Sequence, residues 1–138
     1  MERAHDPLRD RIERAAAGLV YSSTSGRPFE FRRFPGVTIP VGRLSPTELA
    51  ALAGARGGEV QELSLEELLA RHIERVDAGD IDSQRLVPRY EALRDAIRES
   101  LEDVRVVRHG RAEVRCLVLG NDPATGEIAG VETVAVEA

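Results

Sequence analysis

The sequence contains no lysine: all 19 of its basic residues are arginine. Chemistry that needs an amine is therefore excluded, including the phosphate-gripping lysine of a Walker loop, a Schiff-base lysine and a Ser-x-x-Lys nucleophile. The uniform choice of arginine reads as a composition effect and carries no functional weight. A single cysteine, Cys116, cannot close an internal disulfide; its isolation fits a reducing compartment and excludes a cysteine-rich metal module. No stretch approaches the roughly 20 apolar residues that cross a bilayer, and Met1 to Asp6 lacks the basic-then-apolar start of a secretory signal. A cytoplasmic protein without membrane contact is expected. Cationic excess is also missing. The net charge of −5 disfavours non-specific contact with DNA or an anionic membrane and favours a basic partner.

What is present fits one fold. With 138 residues, 42% of them hydrophobic, the chain can fill a single core, so one domain over residues 1–138 is expected. Asp6 as N-cap and Pro7 at the first helical position open a helix whose apolar residues Leu8, Ile12, Ala15 and Ala16 repeat at helical spacing. It should end near Ala17, where Gly18 supplies a stop. Leu19 to Ser22 and Phe29 to Phe34 then read as two strands around the polar turn Ser23-Thr24-Ser25-Gly26-Arg27-Pro28. In Phe29-Glu30-Phe31-Arg32 the rings point to one face and the charges to the other.

Ser45-Pro46 caps a short helix over Thr47 to Ala53, Gly54 to Gly58 reads as a loop, and Glu59 to Leu63 as a short strand. Ser64-Leu65-Glu66-Glu67 is a capping box that opens a helix carrying Leu65, Leu68, Leu69, Ile73 and Val76 on one face. A further helix starts near Val87 and turns Tyr90, Leu93, Ile97 and Leu101 inward. Val104 to Arg108, Ala112 to Leu119 and Ile128 to Glu137 are β-rich runs separated by turn residues, an antiparallel three-stranded meander. In the middle run Val114, Cys116 and Val118 share one face while Leu117 and Leu119 take the other. That strand should be buried on both sides. The expected class is α+β, an α/β/α-type sandwich with helices packed on an antiparallel β-sheet.

Candidate reactive groups are sparse. His5, His72 and His109 have no His-x-x-x-His partner and no cysteine or carboxylate at ligand spacing, so no metal site is expected. His72 reads as a core-edge residue and Cys116 as a small core residue. The run Asp77 to Asp82 lacks the distal glutamate of a calcium loop, and Gly54 to Gly58 lacks the lysine of a phosphate loop. Glu66, Glu67, Glu99 and Glu102 read as solvated charges on outer helical faces. No base stands near Ser22 to Ser25, which form an ordinary turn. No catalytic residue and no cofactor are expected.

The order and spacing of two blocks carry a resemblance. Gly18-Leu19-Val20-Tyr21-Ser22-Ser23 with Pro28-Phe29-Glu30 forms the first. The second comprises Tyr90-Glu91-Ala92-Leu93 to Ile97, Gly110, Glu113-Val114, Val118-Leu119-Gly120, Gly126-Glu127-Ile128-Ala129-Gly130-Val131 and the terminal Val136-Glu137. Together they resemble the nuclease A inhibitor family, small proteins that block sugar-non-specific nucleases, over nearly the whole chain except the loosely matching 36 to 62. The resemblance implies a helix and sheet sandwich whose first hairpin turn and C-terminus enter the nuclease's cleft and bring oxygen ligands to its catalytic cation. The matching positions are Thr24 and Ala138, with Ser23, Ser25, Arg27 and Glu137 beside them. Both depart from the family pattern, in which an acidic residue stands at the turn and a hydroxyl-bearing residue ends the chain. Thr24 is uncharged, and Ala138 offers its main-chain carboxylate.

Two readings follow: an inhibitor of a metal-dependent non-specific nuclease, or a protein-binding module of the same fold with a different partner. Arg105, Arg108, Arg111 and Arg115 offer nucleic-acid binding as a third, opposed by acidic neighbours such as Glu113, and direct contact with nucleic acid is not expected. An enzyme ranks last, since it would need a carboxylate or histidine with a perturbed pKa in a cleft.

Overall fold

The computed structural model describes residues 6–19, 28–54, 59–74, 85, 87–111 and 113–136, with backbone alone at 71–74, 135 and 136. The first helix, α1 (Pro7–Ala16), begins as its sequence requires: the Asp6 carboxylate accepts from the Arg9 amide at 3.1 Å, and Pro7 needs no donor there. It ends one residue before the expected Ala17. Gly18 takes φ +77°, and the Leu19 amide closes the end on the Ala16 carbonyl at 2.9 Å.

β1 (Glu30–Phe34) follows, then a single 3-10 turn at Val41–Arg43 and α2 (Pro46–Leu52), whose Ser45 and Glu48 form a reciprocal capping box. β2 (Val60–Leu63) leads into α3 (Leu65–Glu74), where the Ser64 hydroxyl accepts from the Glu67 amide at 3.0 Å. α4 (Val87–Ser100) starts at the expected residue, and β3 (Glu102–His109), β4 (Glu113–Asn121) and β5 (Ile128–Val136) complete the chain. Glu102 is thus a strand residue and does not lie on a helical face. His109 ends β3 and pairs with both Val60 and Arg115, so it is part of the ladder and not of the turn.

Among the described residues the strands form one antiparallel sheet in the order β1-β5-β4-β3-β2. The meander is present as read, and β1 returns to pair with its last strand. The partner strand expected for β1 at Leu19 to Ser22 lies, from Val20 on, outside the described residues.

Strand alternation splits the core in two. On one face Phe29, Val106, Val114, Cys116, Val118 and Val131 meet the apolar sides of α1, α3 and α4, with Ile12, Leu68 and Leu93 fully buried. On the other, Phe34, Val107, Leu117, Leu119 and Ile128 are covered by α2 and the 3-10 turn through Val41, Leu49 and Ala50. β4 is buried from both sides, because as the central strand of the sheet it lies between the two helical layers. The result is an α/β/α-type sandwich with a thick helical layer and a thin one. No helix among the described residues is long and apolar enough to cross a membrane.

The thin layer depends on one buried amide. Asn121 accepts from the Val41 amide at 2.9 Å and donates to the Ile39 and Gly126 carbonyls at 3.1 and 3.2 Å. It thereby ties the 35–44 loop to the β4–β5 turn. Asn121→Ala leaves these backbone groups without partners in a buried setting, so a loss of about 2–3 kcal/mol is expected. Urea denaturation should show it as a lower midpoint with an unaltered slope.

Candidate functional site

The register gathers four chain segments at one end of the sheet. In the antiparallel β1–β5 pair Glu30 faces Glu132 and Phe34 faces Ile128, so β1 starts beside the middle of β5, which runs on to Val136. The same end holds the β4 start, where Glu113 faces Val136, and the β3 end and β2 start, where His109 faces Val60. Ser23, Thr24, Ser25 and Arg27 lead into β1 through Pro28; Glu137 and Ala138 follow Val136 out of β5. All six lie outside the described residues. Their anchor points are Pro28, which precedes β1, and Val136, which ends β5; these two strands are antiparallel neighbours. Segments some hundred residues apart in the chain thus attach to adjacent strands.

The sheet face beside these roots is charged. Glu132, only 12% exposed, accepts from Arg32 on one side and forms an ion pair with Arg115 at 3.2 Å on the other. Arg32 also lies over the Phe34 ring at 5.3 Å, and Arg115 donates to the Ala53 carbonyl at 2.6 Å. Arg105 is consumed as well: it holds the Val41 carbonyl at 2.6 Å, the Leu44 carbonyl and the Glu62 carboxylate. Arg108 leans toward Gln61 at 3.5 Å. Of the four arginines considered for nucleic acid, two thus serve internal ion pairs and backbone carbonyls. The expected stripe of free cations is broken at Arg105 and Arg115.

At the opposite end, one guanidinium organises three carboxylates. Arg33, 19% exposed, makes a bidentate pair with Asp6 at 2.8 and 3.0 Å and reaches Asp122 at 3.0 Å and Glu127 at 3.1 Å. Glu127 in turn accepts from the Gly36 amide at 2.9 Å, and Asp122 from the Ala124 amide at 2.9 Å. The start of α1, strand β1 and the β4–β5 turn are locked together. The Arg33 hydrogen bond, partly offset by burial, holds the Asp6 carboxyl below its ordinary value, while the Asp6 carboxylate pushes Arg33 upward.

A depressed aspartate contributes stability above its unfolded pKa, about 3.9, and that contribution fades as pH falls through the lower folded value. Asp6→Asn should therefore lower the melting temperature at pH 7 and flatten its fall below about pH 4. Equal acid sensitivity in both proteins would count against this pair.

Other candidates behave as core or surface groups. Cys116 is buried in β4. Glu66 pairs with Arg98 across α3 and α4, which lowers its pKa. His5 and the run Asp77 to Asp82 lie outside the described residues, as does the His72 side chain. No group of three or more potential metal ligands occurs among the described residues.

The family model for nuclease A inhibitor-like proteins matches residues 6–138. The chain belongs to that family. The match begins at the Asp6 cap of α1 and runs through every described element and past Val136, so it covers both anchor points. A search of the curated proteins finds no match.

Within this inhibitor-like family fold, sequence reasoning passed over Arg33, Asp122 and Glu127. The signal was present. Phe29, Phe31 and Arg33 alternate onto the same covered face, and a cation there needs carboxylate partners. Which carboxylates serve could not be read, since they lie 27, 89 and 94 positions away.

Proposed function

We propose that this protein is a cytoplasmic, single-domain inhibitor that occupies the active cleft of a metal-dependent, sugar-non-specific nuclease. Thr24 and the Glu137–Ala138 segment are the inserted groups, and Ser23, Ser25 and Arg27 flank them. A catalytic divalent cation of the Mg²⁺ type prefers hard oxygen donors, which hydroxyl, carboxylate and peptide carbonyl groups all supply. The observation that carries the reading is the β1–β5 pairing: the strand that follows residues 23–28 and the strand that precedes residues 137–138 are antiparallel neighbours in one sheet. Membership of the inhibitor-like family supports it, as does the acidic balance, which suits a partner whose surface holds a polyanion. No reactive centre in the chain is needed, since blocking a cleft requires only shape and suitably placed donors.

The test is a titration of the purified protein into the metal-dependent non-specific nuclease of the same cell, with plasmid DNA and RNA as substrates. Cleavage of both should fall to background near one equivalent. Unchanged cleavage at protein excess removes the inhibitor reading and leaves a module with another partner.

A further inference from the structure

The β3–β4 turn stands at the same end of the sheet and carries an exposed arginine, Arg111. Gly110 takes φ +117° there, and a Cβ on it would lie 2.1 Å from the Glu113 carbonyl oxygen. Glycine is therefore required at this position, directly before Arg111. Glu113, at the other side of the turn, faces Val136 in the ladder, so the last described residue of β5 stands beside this turn. Among the described residues Arg111 is exposed and makes no ion pair, whereas Arg32, Arg33, Arg105 and Arg115 all hold carboxylates. Next to it opens a cleft of about 500 Å³ lined by Glu59, Gln61, Arg108 and Arg111, room enough for a partner's side chain.

We propose that Arg111 is a specificity-determining contact of the partner-binding rim and receives a carboxylate of the nuclease. This inference rests on the inhibitor reading above. A nuclease surface that holds nucleic acid is basic, and most of this acidic chain is attracted to it. A guanidinium at the rim that forms no ion pair among the described residues opposes that docking unless the partner places an acidic group opposite it. Arg111 thereby selects among nucleases that share one cleft chemistry. A nucleic-acid phosphate fits less well: a strand needs a row of cations, while Glu59 and Glu113 flank this one and Arg105 and Arg115 are committed inside the fold.

The experiment measures inhibition constants of the unaltered protein, Arg111→Ala and Arg111→Glu against the same nuclease at low and high salt, with melting temperatures as control. Arg111→Ala should weaken inhibition about tenfold and Arg111→Glu about a hundredfold, steps of about 1.4 kcal/mol each. The gap should narrow at high salt, and melting should not change. Equal or tighter inhibition by Arg111→Glu overturns the proposal while leaving the inhibitor reading intact. Absence of inhibition by the unaltered protein overturns both. Salt-sensitive retention of the unaltered protein on DNA, lost in Arg111→Ala, would also overturn it by assigning the arginine to phosphate.

Discussion

Removal of Glu137 and Ala138 is expected to weaken inhibition of the nuclease by about a hundredfold or more, roughly 3 kcal/mol, with little change in thermal stability. The two effects separate because of where the last ladder pair stands. β5 ends at Val136, paired with Glu113, and the deleted residues lie beyond it. Chain termini as a rule contribute little burial, so the melting temperature should move by no more than about 2 °C. Binding is another matter. If the tail supplies an oxygen donor to the nuclease's cation, its loss removes a charge-assisted contact in a site shielded from water, and dissociation accelerates. Inhibition constants and melting curves of the truncated and full chains decide it. A truncated protein that still inhibits with the original constant would remove the tail from the mechanism and leave the 23–27 turn to carry it alone.

Gly130→Ala is expected to prevent folding, or to leave a protein that unfolds well below its parent. Gly130 sits in β5 between Arg32 of β1 and Leu119 of β4. A Cβ at this position would lie 1.7 Å from the Val118 carbonyl oxygen and 2.8 Å from its carbon. Both are backbone atoms of the central strand, so neither can rotate away as a flexible side chain would. Relief requires β4 and β5 to separate, with loss of ladder bonds and of contacts in both cores. The cost should exceed the 1–3 kcal/mol usual for overpacking and approach the whole stability of a small domain, about 5–15 kcal/mol. Circular dichroism and urea unfolding test it. A melting temperature within a few degrees of the parent would show that the strands adjust locally. Gly120 faces the same constraint more mildly, 2.8 Å from the Glu102 carbonyl oxygen.

The helices and the meander were legible because their signals are local. The Asp6-Pro7 and Ser45-Pro46 starts, the capping residues Ser64 and Glu67, and the alternation through β4 all act within a few residues. The element ends moved by only a residue or two, as at Ala17, Glu102 and Asn121. Gly130 shows the limit of that legibility. As a residue in a strand it reads only as a weak position, and its necessity appears once Val118 stands against it.

The candidate site divides in the same way. The family resemblance pointed to Thr24 and Ala138 as a pair, but nothing in local periodicity says that β1 and β5 are neighbours in the sheet. Composition and periodicity by themselves determined an acidic, lysine-free α+β chain with one two-faced central strand. Tertiary structure alone decided that Glu132 neutralises Arg32 and Arg115, that Arg33 gathers Asp6, Asp122 and Glu127, and that Arg111 is left exposed beside the tail's root. The reason is physical: side-chain period follows from backbone geometry over a few residues, whereas strand register is set by packing between segments as many as a hundred residues apart.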